Sequence, residues 1–266
     1  MDTVFEPVFL VIIGFLAGVI NTLAGGGSLF TLPALIFLGL PPQVANGTNR
    51  IAIVVQSLSG TLGYRSKGIS SFPFTVYLGI SACFGAYLGA QIAMDLDGSI
   101  FNKILAIIMI IVGMLLLFRR KNIDLDLPER LTGKYLVWSL LGFFIIGIYG
   151  GFINAGIGIV IMLFLNRFNQ MNLVKTNATK VAVVFIYSFV ALLIFALNDA
   201  VDWKMGAFMA VGTSLGAWWA SRWSVKKGDR VIRYAMLITL FIMAVKLWFF
   251  EQLNSSGTLL WLSHNP

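Results

Sequence analysis

A single interrupted hydrophobic stretch decides the fold of this chain: residues 8–40 read VFLVIIGFLAGVINTLAGGGSLFTLPALIFLGL. Three consecutive glycines stand at positions 25, 26 and 27, in the middle of an otherwise apolar run. Glycine permits tight turns and positive φ angles, so the helix is predicted to break there. As a helix, Leu29 to Leu40 would cover only about 18 Å, little more than half of a bilayer core of about 30 Å. We therefore predict a hairpin that dips into a membrane and returns.

The same pattern recurs later in the chain. Three short segments of the first half have counterparts in the second. They are Ala24-Gly25-Gly26-Gly27 with Ala155-Gly156-Ile157-Gly158, Asn46-Gly47-Thr48 with Asn177-Ala178-Thr179, and residues 85–90 with residues 216–221. All three pairs are 131 positions apart (155 − 24, 177 − 46, 216 − 85). Internal duplication of this kind is typical of secondary transporters.

The composition indicates a membrane protein. The chain of 266 residues is 58% hydrophobic and 11% charged, whereas charged residues make up about a quarter of a soluble globular protein. The net charge of +8 does not indicate nucleic-acid binding, because the basic residues lie in short loops beside apolar runs. No basic segment precedes the first apolar run, so it is not predicted to be a cleaved signal peptide. The single cysteine, Cys83, cannot form a disulfide within the chain.

Each copy contains one interrupted stretch and three continuous ones. In the first copy, residues 1–118, the continuous stretches lie near Ala45 to Tyr64, Phe72 to Met94 and Phe101 to Phe118. In the second copy, residues 135–266, the interrupted stretch is Tyr135 to Phe168 with a break at Asn154 to Gly158, and the continuous ones lie near Asn177 to Leu197, Trp203 to Trp223 and Val231 to Phe250. Residues 119–134 are predicted to form a cytoplasmic linker.

The loop charges indicate that the two copies are inverted. Arg65 and Lys67 follow the second stretch of the first copy, whereas Asp199 and Asp202 occupy the equivalent loop of the second. Positively charged loops stay in the cytoplasm, so equivalent loops face opposite sides. The predicted fold is an all-α polytopic membrane protein of two inverted-topology repeats, each with a broken, re-entrant hairpin plus three transmembrane helices. We expect it in the inner (plasma) membrane, with both termini outside.

Arg50 is the strongest candidate for a functional side chain. Only fourteen residues separate it from Arg65, so the helix must begin upstream, near Ala45, which carries Arg50 more than a turn into the membrane. A buried guanidinium is costly unless it is paired or faces an aqueous cavity. Lys180 is its counterpart in the second copy. The alternatives are that Arg50 snorkels to the headgroups and that Lys180 lies at the interface.

The glycine breaks would complete an anion site. Where such a turn precedes a short helix, free N–H groups and the helix dipole together favour an anion. The alternative is that glycines only let helices pack closely, as we expect of Gly14, Gly18, Gly85 and Gly89. The polar residues at the two helix starts could likewise be plain N-caps. The predicted substrate-binding set is Arg50, Asn49, Thr48, Asn46, Gly26, Gly27, Ser28, Asn177, Thr179, Lys180, Gly156 and Gly158.

Catalytic and metal-binding patterns are missing from the sequence. His264 is the single histidine, there is no cysteine cluster, and no carboxylate falls in the middle of a predicted span. We expect neither an enzyme nor a bound cofactor. There is also no Gly-x-x-x-x-Gly-Lys-Ser/Thr sequence, so the chain does not encode its own nucleotide motor.

Several motifs resemble one known family. Residues 14–28, Leu32-Pro33, Ala45-Asn-Gly-Thr-Asn-Arg50 and Gly60-Thr-Leu-Gly-Tyr64 are similar to the TauE/SafE family of sulfite and organosulfur-anion exporters. The resemblance covers nearly the whole chain and implies a sulfur-containing oxyanion, sulfite above all, as substrate. The second copy departs from the pattern at Gly156-Ile157-Gly158, where the three-glycine turn is reduced.

The sequence thus predicts a secondary-active exporter of a small sulfur-containing oxyanion, with its site between the two repeats. An anion channel built from the same hairpins, or a membrane scaffold that does not transport, are the alternatives. The expected partners are the anion and the lipid bilayer. A homodimer is left open by the sequence, as are the direction and coupling of transport.

Overall fold

The computed structural model describes residues 5–117 and 128–223, and within these ranges the chain is entirely helical. Nine helices are formed in this part of the chain. Their bounds are α1 (Phe5–Ala24), α2 (Ser28–Phe37), α3 (Pro42–Arg65), α4 (Phe74–Asp95), α5 (Gly98–Leu117), α6 (Lys134–Phe152), α7 (Ile157–Arg167), α8 (Leu173–Leu197) and α9 (Trp203–Trp223). The predicted stretch Val231 to Phe250 and most of the predicted linker lie outside the described residues.

The order of the helices repeats along the chain. A long helix, a break and a short helix occur as α1 and α2, and again as α6 and α7. The next long helices, α3 and α8, begin 131 positions apart (173 − 42), the spacing of the sequence repeat. Both predicted breaks are therefore present, although α6 already ends at Phe152, two residues before the predicted break.

The breaks occur where the backbone leaves the right-handed helical region. Gly25 has φ +83° and Gly156 has φ +71°, values that glycine adopts without the steric cost of a side chain. Asn154 has φ +60°, which asparagine tolerates better than most residues. A helix cannot continue through such residues, so the apolar run divides into a long and a short helix at each site.

Among the described residues, four helices are long and apolar enough to cross a membrane: α1, α4, α6 and α8. The short helices α2 and α7 have 10 and 11 residues, which at about 1.5 Å per residue is about half of a bilayer core. With 24 and 21 residues, α3 and α9 have sufficient length but are less apolar. In α3 the reason is a run of buried polar residues, which includes Asn46, Asn49, Arg50 and Gln56.

Helices of one half pack mainly on helices of the other half. α1 packs along α9, and α6, which holds the same place in the second half, packs along α4. Likewise α3 packs on α9 while α8 packs on α4, and α3 and α8 pack on each other. This reciprocal pattern is the one that an approximate two-fold relation between the halves produces.

Glycines allow these helix pairs to approach at backbone distance. A methyl group added to Gly18 would lie 2.3 Å from the carbonyl oxygen of Thr213, and one on Gly147 would lie 2.3 Å from that of Ala82. The two contacts correspond to each other in the repeat, because the glycines are 129 positions apart (147 − 18) and their partners 131 (213 − 82). The predicted packing role is confirmed for Gly14, Gly18, Gly85 and Gly89.

Large apolar side chains cover the outer faces of the long helices. On α4, Ile80, Phe84 and Leu88 recur at every fourth position with exposed fractions of 50%, 67% and 44%. On α6, Trp138 and Ile145 are similarly exposed, at 61% and 65%. A soluble monomer rarely exposes contiguous apolar surface of this kind, and a lipid-facing surface requires it. The outer faces are therefore suited to contact with lipid.

A methyl group at Gly147 should destabilise the protein. Gly147→Ala would push α6 away from the backbone of Ala82, and overpacking of this kind costs about 1–3 kcal/mol. We expect a lower Tm for the detergent-solubilised variant, measured by size exclusion after heating. Gly98→Ala is the matched control, because its methyl would meet Pro42 at 3.4 Å, an ordinary contact distance. Equal losses in both variants would contradict close α4–α6 packing.

Candidate functional site

The two breaks touch each other. A methyl group on Gly25 would lie 2.4 Å from the carbonyl carbon of Gly158, and one on Gly158 would lie 2.4 Å from the Cα of Gly25. The Ser28 hydroxyl donates a hydrogen bond of 2.9 Å to the carbonyl oxygen of Asn154. The broken segments of the two halves therefore cross with their backbones in contact.

Both short helices begin at this crossing. α2 begins at Ser28 and α7 at Ile157. The first N–H groups of a helix have no partner within it, and the aligned peptide dipoles add about half a positive charge at that end. The positive ends of the two helices, at residues 26–28 and 156–158, thus lie in one region, which favours negative charge there.

Arg50 is fully buried and points at the end of α6. Its Nη1 donates to the carbonyl oxygen of Gly150 at 2.5 Å, and its Nη2 to that of Gly151 at 2.7 Å and to Asn46 Oδ1 at 3.3 Å. The Asn46 amide donates to the carbonyl oxygen of Phe152 at 2.7 Å. The last carbonyls of a helix lack partners within it and form its negative end, so they stabilise a buried cation. The guanidinium does not reach the molecular surface, contrary to the snorkelling alternative.

Lys180 makes the equivalent contact in the other half. Only 2% of the residue is exposed, so it is buried rather than interfacial. Its Nζ donates to the carbonyl oxygens of Asn21 at 3.0 Å and Thr22 at 3.1 Å, which belong to the last turn of α1. It also donates to Asn177 Oδ1 at 2.8 Å. A lysine on α8 thus stabilises the end of α1, as an arginine on α3 stabilises the end of α6.

The two cation contacts are related by the duplication. The carbonyls that Arg50 binds lie 129 positions after those that Lys180 binds (150 − 21, 151 − 22). The amide oxygens that support the two cations are 131 positions apart (177 − 46). Each half therefore holds the broken helix of the other half through a buried positive charge.

A small cavity lies at the crossing of the breaks. We call it the central cavity; its volume is about 10 Å³, close to the space that one water molecule needs. A sulfur oxyanion is larger than a water molecule, so the cavity must widen before it can hold one. The lining residues are Asn21, Ser57, Asn154, Ile157, Gly158, Lys180, Val181 and Val184.

Several buried polar groups near this region have no hydrogen-bond partner in the described part of the chain. The Ser57 hydroxyl, which lines the central cavity, is one of them. Leaving a buried donor or acceptor unpaired costs about 1–3 kcal/mol, and such groups in native proteins usually have a partner in water or a ligand. The others include both side-chain polar atoms of Asn49 and the hydroxyls of Thr179 and Ser188.

The structure brings together part of the predicted substrate-binding set. Gly158 and Lys180 line the central cavity, and Asn177 contacts Lys180. The Thr48 hydroxyl is not directed there, because it accepts a hydrogen bond of 2.8 Å from the Asp202 N–H at the start of α9. The remaining members lie at the α2 and α7 starts (Gly26, Gly27, Ser28, Gly156) or are buried on α3 and α8 (Asn46, Asn49, Arg50, Thr179).

Sequence reasoning missed three polar residues of the cavity wall: Asn21, Ser57 and Asn154. Ser57 follows Arg50 by seven positions, so the two lie on the same face of α3, and that spacing could have identified it. Asn21 and Asn154 stand just before the glycine breaks. Asn154 is also held by the Tyr187 hydroxyl, which donates to its Oδ1 at 2.5 Å.

The described residues contain no group of three or more His, Cys, Asp or Glu side chains that could hold a metal ion. The site described above consists of cations, amides, hydroxyls and backbone N–H groups. These groups carry positive charge or can donate hydrogen bonds, so the site is suited to an anion.

Comparison with known proteins gives a consistent result. Residues 10–247 match the profile of the family described as sulfite exporter TauE/SafE. A probable membrane transporter protein of Haemophilus influenzae is 32% identical over 88% of this chain and 91% of its own length. The probable membrane transporter protein YfcA of Escherichia coli K12 is 30% identical over 96% of this chain and 94% of its own length.

A more distant relative, the probable membrane transporter protein YunE of Bacillus subtilis, is 24% identical over 90% of this chain and 96% of its own length. No solved structure matches the chain. The family profile covers both halves of the duplication, including the two breaks and the two buried cations. The chain therefore belongs to the TauE/SafE family of membrane transporters.

Proposed function

We propose that this protein exports a small sulfur-containing oxyanion, sulfite, across the cell membrane as a secondary-active carrier. The observation that carries the proposal is the central cavity at the crossing of the two breaks. Its wall combines the buried Lys180 with the unpaired Ser57 hydroxyl and the start of α7 at Gly158. These groups donate hydrogen bonds or carry positive charge, as an oxyanion requires.

The geometry of the wall supports a substrate with several acceptor oxygens. Ser57 belongs to α3 and Lys180 to α8, while Asn154 and Gly158 belong to the second break. Donors thus approach from three directions, which matches a pyramidal anion with three oxygens better than a spherical one. Arg50 adds positive charge nearby, because it donates to the carbonyl oxygen of Gly150. Gly150 lies against Tyr187: a methyl group on Gly150 would be 2.9 Å from the Tyr187 ring. The Tyr187 hydroxyl in turn donates to Asn154, which lines the central cavity.

The small volume of the central cavity supports a carrier with a closed state. At about 10 Å³ the cavity cannot hold sulfite, so binding requires that the elements around it move. In an alternating-access carrier, one half rocks against the other around a fixed site. Each of the close pairs α1–α9 and α4–α6 joins helices of both halves, so each pair can move as one unit around the crossing.

Loop charges support an inverted relation between the halves. α3 ends at Arg65 and is followed by Lys67, whereas the loop after α8 contains Asp199 and Asp202. Under the positive-inside rule, the end of α3 lies in the cytoplasm and the end of α8 outside. An approximate two-fold axis in the membrane plane would then relate the halves and place the crossing near the bilayer midplane.

Export of an anion needs no dedicated proton site. The interior of a cell is electrically negative, and moving one charge through the membrane potential is worth about 2.3 kcal/mol per 100 mV. That drive favours the exit of an anion. It fits a site whose wall contains a lysine and neutral polar residues and no Asp or Glu.

The inverted topology predicts that Lys67 and Asp199 face opposite sides. Both are exposed, and each can be replaced by cysteine in a Cys83→Ala background that removes the native thiol. A membrane-impermeant thiol reagent should label Lys67→Cys from the cytoplasmic side and Asp199→Cys from the outside. Labelling of both from the same side of intact and inverted vesicles would exclude the inversion.

Lys180→Gln should weaken sulfite binding. A hydrogen bond to a charged group is worth about 1.5–3 kcal/mol, which corresponds to a Kd higher by about tenfold to a hundredfold. Calorimetric titration of the detergent-solubilised protein measures the change. Lys175→Gln is the matched control on the same helix, because Lys175 pairs with Glu129 at 2.8 Å and its side chain is 42% exposed. Unchanged sulfite affinity in Lys180→Gln would remove this lysine from the site.

Flux of labelled sulfite into liposomes tests the carrier mechanism against its alternatives. Saturation with sulfite concentration, acceleration by sulfite on the opposite side and a dependence on membrane potential are the expected results. Rapid flux that rises linearly with concentration would favour an anion channel. No flux of any sulfur oxyanion would favour a scaffold that does not transport.

A further inference from the structure

A second, larger cavity lies next to the central one. It has a volume of about 640 Å³ and is bounded by the end of α3, the loop to α4, the start of α4 and one face of α8. We call it the vestibule. The exposed Arg65 lies in its wall, where a positive charge attracts anions. Its lining includes Thr61, Tyr64, Arg65, Ala178 and Ala182.

Only a thin layer of side chains separates the vestibule from the central cavity. Ser57 lines the central cavity, and Thr61, one helical turn or about 6 Å along α3, lines the vestibule. On α8, Lys180 lines the central cavity and Ala182 the vestibule. Lys180 and Ala182 are two positions, or about 3 Å along the helix axis, apart, and at 3.6 residues per turn they lie on different faces of α8.

Val181 and Tyr64 form this layer. Their exposed fractions are 3% and 1%, and with Ala178 they make up one apolar cluster. A methyl group on Gly60 would lie 3.5 Å from Val181, so α3 and α8 approach each other at this point. Val181 also lines the central cavity, and Tyr64 lines the vestibule. The two side chains thus stand between the two spaces.

The duplication places a counterpart at the other end of the same helix pair. The residue 131 positions after Tyr64 is Phe195, and the residue 131 positions before Val181 is Arg50, although the helix-end contacts pair Arg50 with the neighbouring Lys180. These two residues also face each other, with the Arg50 Cζ 5.6 Å from the centre of the Phe195 ring. The counterpart is held more firmly, because Arg50 also bonds to the carbonyls of Gly150 and Gly151.

We propose that Val181 and Tyr64 form an apolar gate through which the anion passes between the central cavity and the vestibule, and that Arg50 and Phe195 form its duplicated counterpart on the opposite side. The proposal rests on the proposed function. Valine has no polar group, so packing alone holds the Val181 side chain in the gate. In this structure the gate at Val181 is closed, with the vestibule already open on the Arg65 side.

Thiol labelling tests the gate without measuring transport. In the Cys83→Ala background, Ala182→Cys reports on the vestibule and Ser57→Cys on the central cavity. A hydrophilic, negatively charged methanethiosulfonate should modify Ala182→Cys rapidly from the side on which Lys67 is labelled, and Ser57→Cys slowly. Failure to modify Ala182→Cys from either side would mean that lipid fills this space and would overturn the proposal.

Val181→Ala should open the gate. Closed proteins populate open states at about 0.1–10%, so a permanently open gate should raise the rate at which Ser57→Cys is modified by about tenfold or more. Val183→Ala is the matched control, because Val183 is fully buried on another face of α8. Val181→Thr, which keeps the shape of valine but admits water, should also raise the rate, and it replaces Val181→Ala if that variant does not fold.

The two proposals fail in distinguishable ways. Faster modification of Ser57→Cys in the Val181 variants but no sulfite flux in the parent protein would support the gate and reject the proposed function. Sulfite flux in the parent, with no change of modification rate in either Val181 variant, would reject the gate alone. An equal rise in Val181→Ala and Val183→Ala would also reject it, because it would reflect general loosening of α8.

Discussion

The structure depends on how the ends of the two broken helices are stabilised. Breaking a helix inside a membrane leaves backbone carbonyls and N–H groups without partners, and lipid supplies none. Arg50 and Lys180 satisfy the carbonyl ends: each is buried on a long helix of one half and bonds to the last turn of α6 or α1 in the other. A buried cation is itself costly, so each charge and each helix end stabilise one another. At the start of α7, the Ile157 N–H donates to the carbonyl oxygen of Asn154.

This arrangement connects binding to movement in the proposed function. Lys180 both lines the central cavity and holds the carbonyls of Asn21 and Thr22. An anion that enters the cavity competes with those carbonyls for the ammonium group, and α1 then loses part of what holds its end to α8. A ligand can shift a conformational equilibrium only by binding one state better than another, and this competition provides such a difference.

The two halves have kept their geometry and diverged in chemistry. The cation is an arginine in one and a lysine in the other, and the break is Gly-Gly-Gly in one and includes Asn154 and Gly156 in the other. Between α3 and α8, Val181 packs with Tyr64 at one end and Arg50 lies over the ring of Phe195 at the other. A transporter in which both ends were identical would have no preferred resting state, so unequal closures are consistent with one closed form that opens more easily to one side.

The sequence by itself determined the membrane environment, the two breaks and the repeat, because these follow from composition and glycine positions, and helix length favoured the burial of Arg50 over snorkelling. It also indicated the polar set at the starts of α3 and α8, although not what each member contacts. Only the tertiary structure decided what these side chains contact. Arg50 and Lys180 bond to helix ends, and the Thr48 hydroxyl accepts a hydrogen bond at the start of α9. Ser57, Asn21 and Asn154 line one cavity. The physical reason is that these contacts join residues far apart along the chain, as with Lys180 and Asn21, 159 positions apart, or depend on side-chain direction. Both depend on how α1, α3, α6 and α8 cross, which periodicity along one helix does not contain.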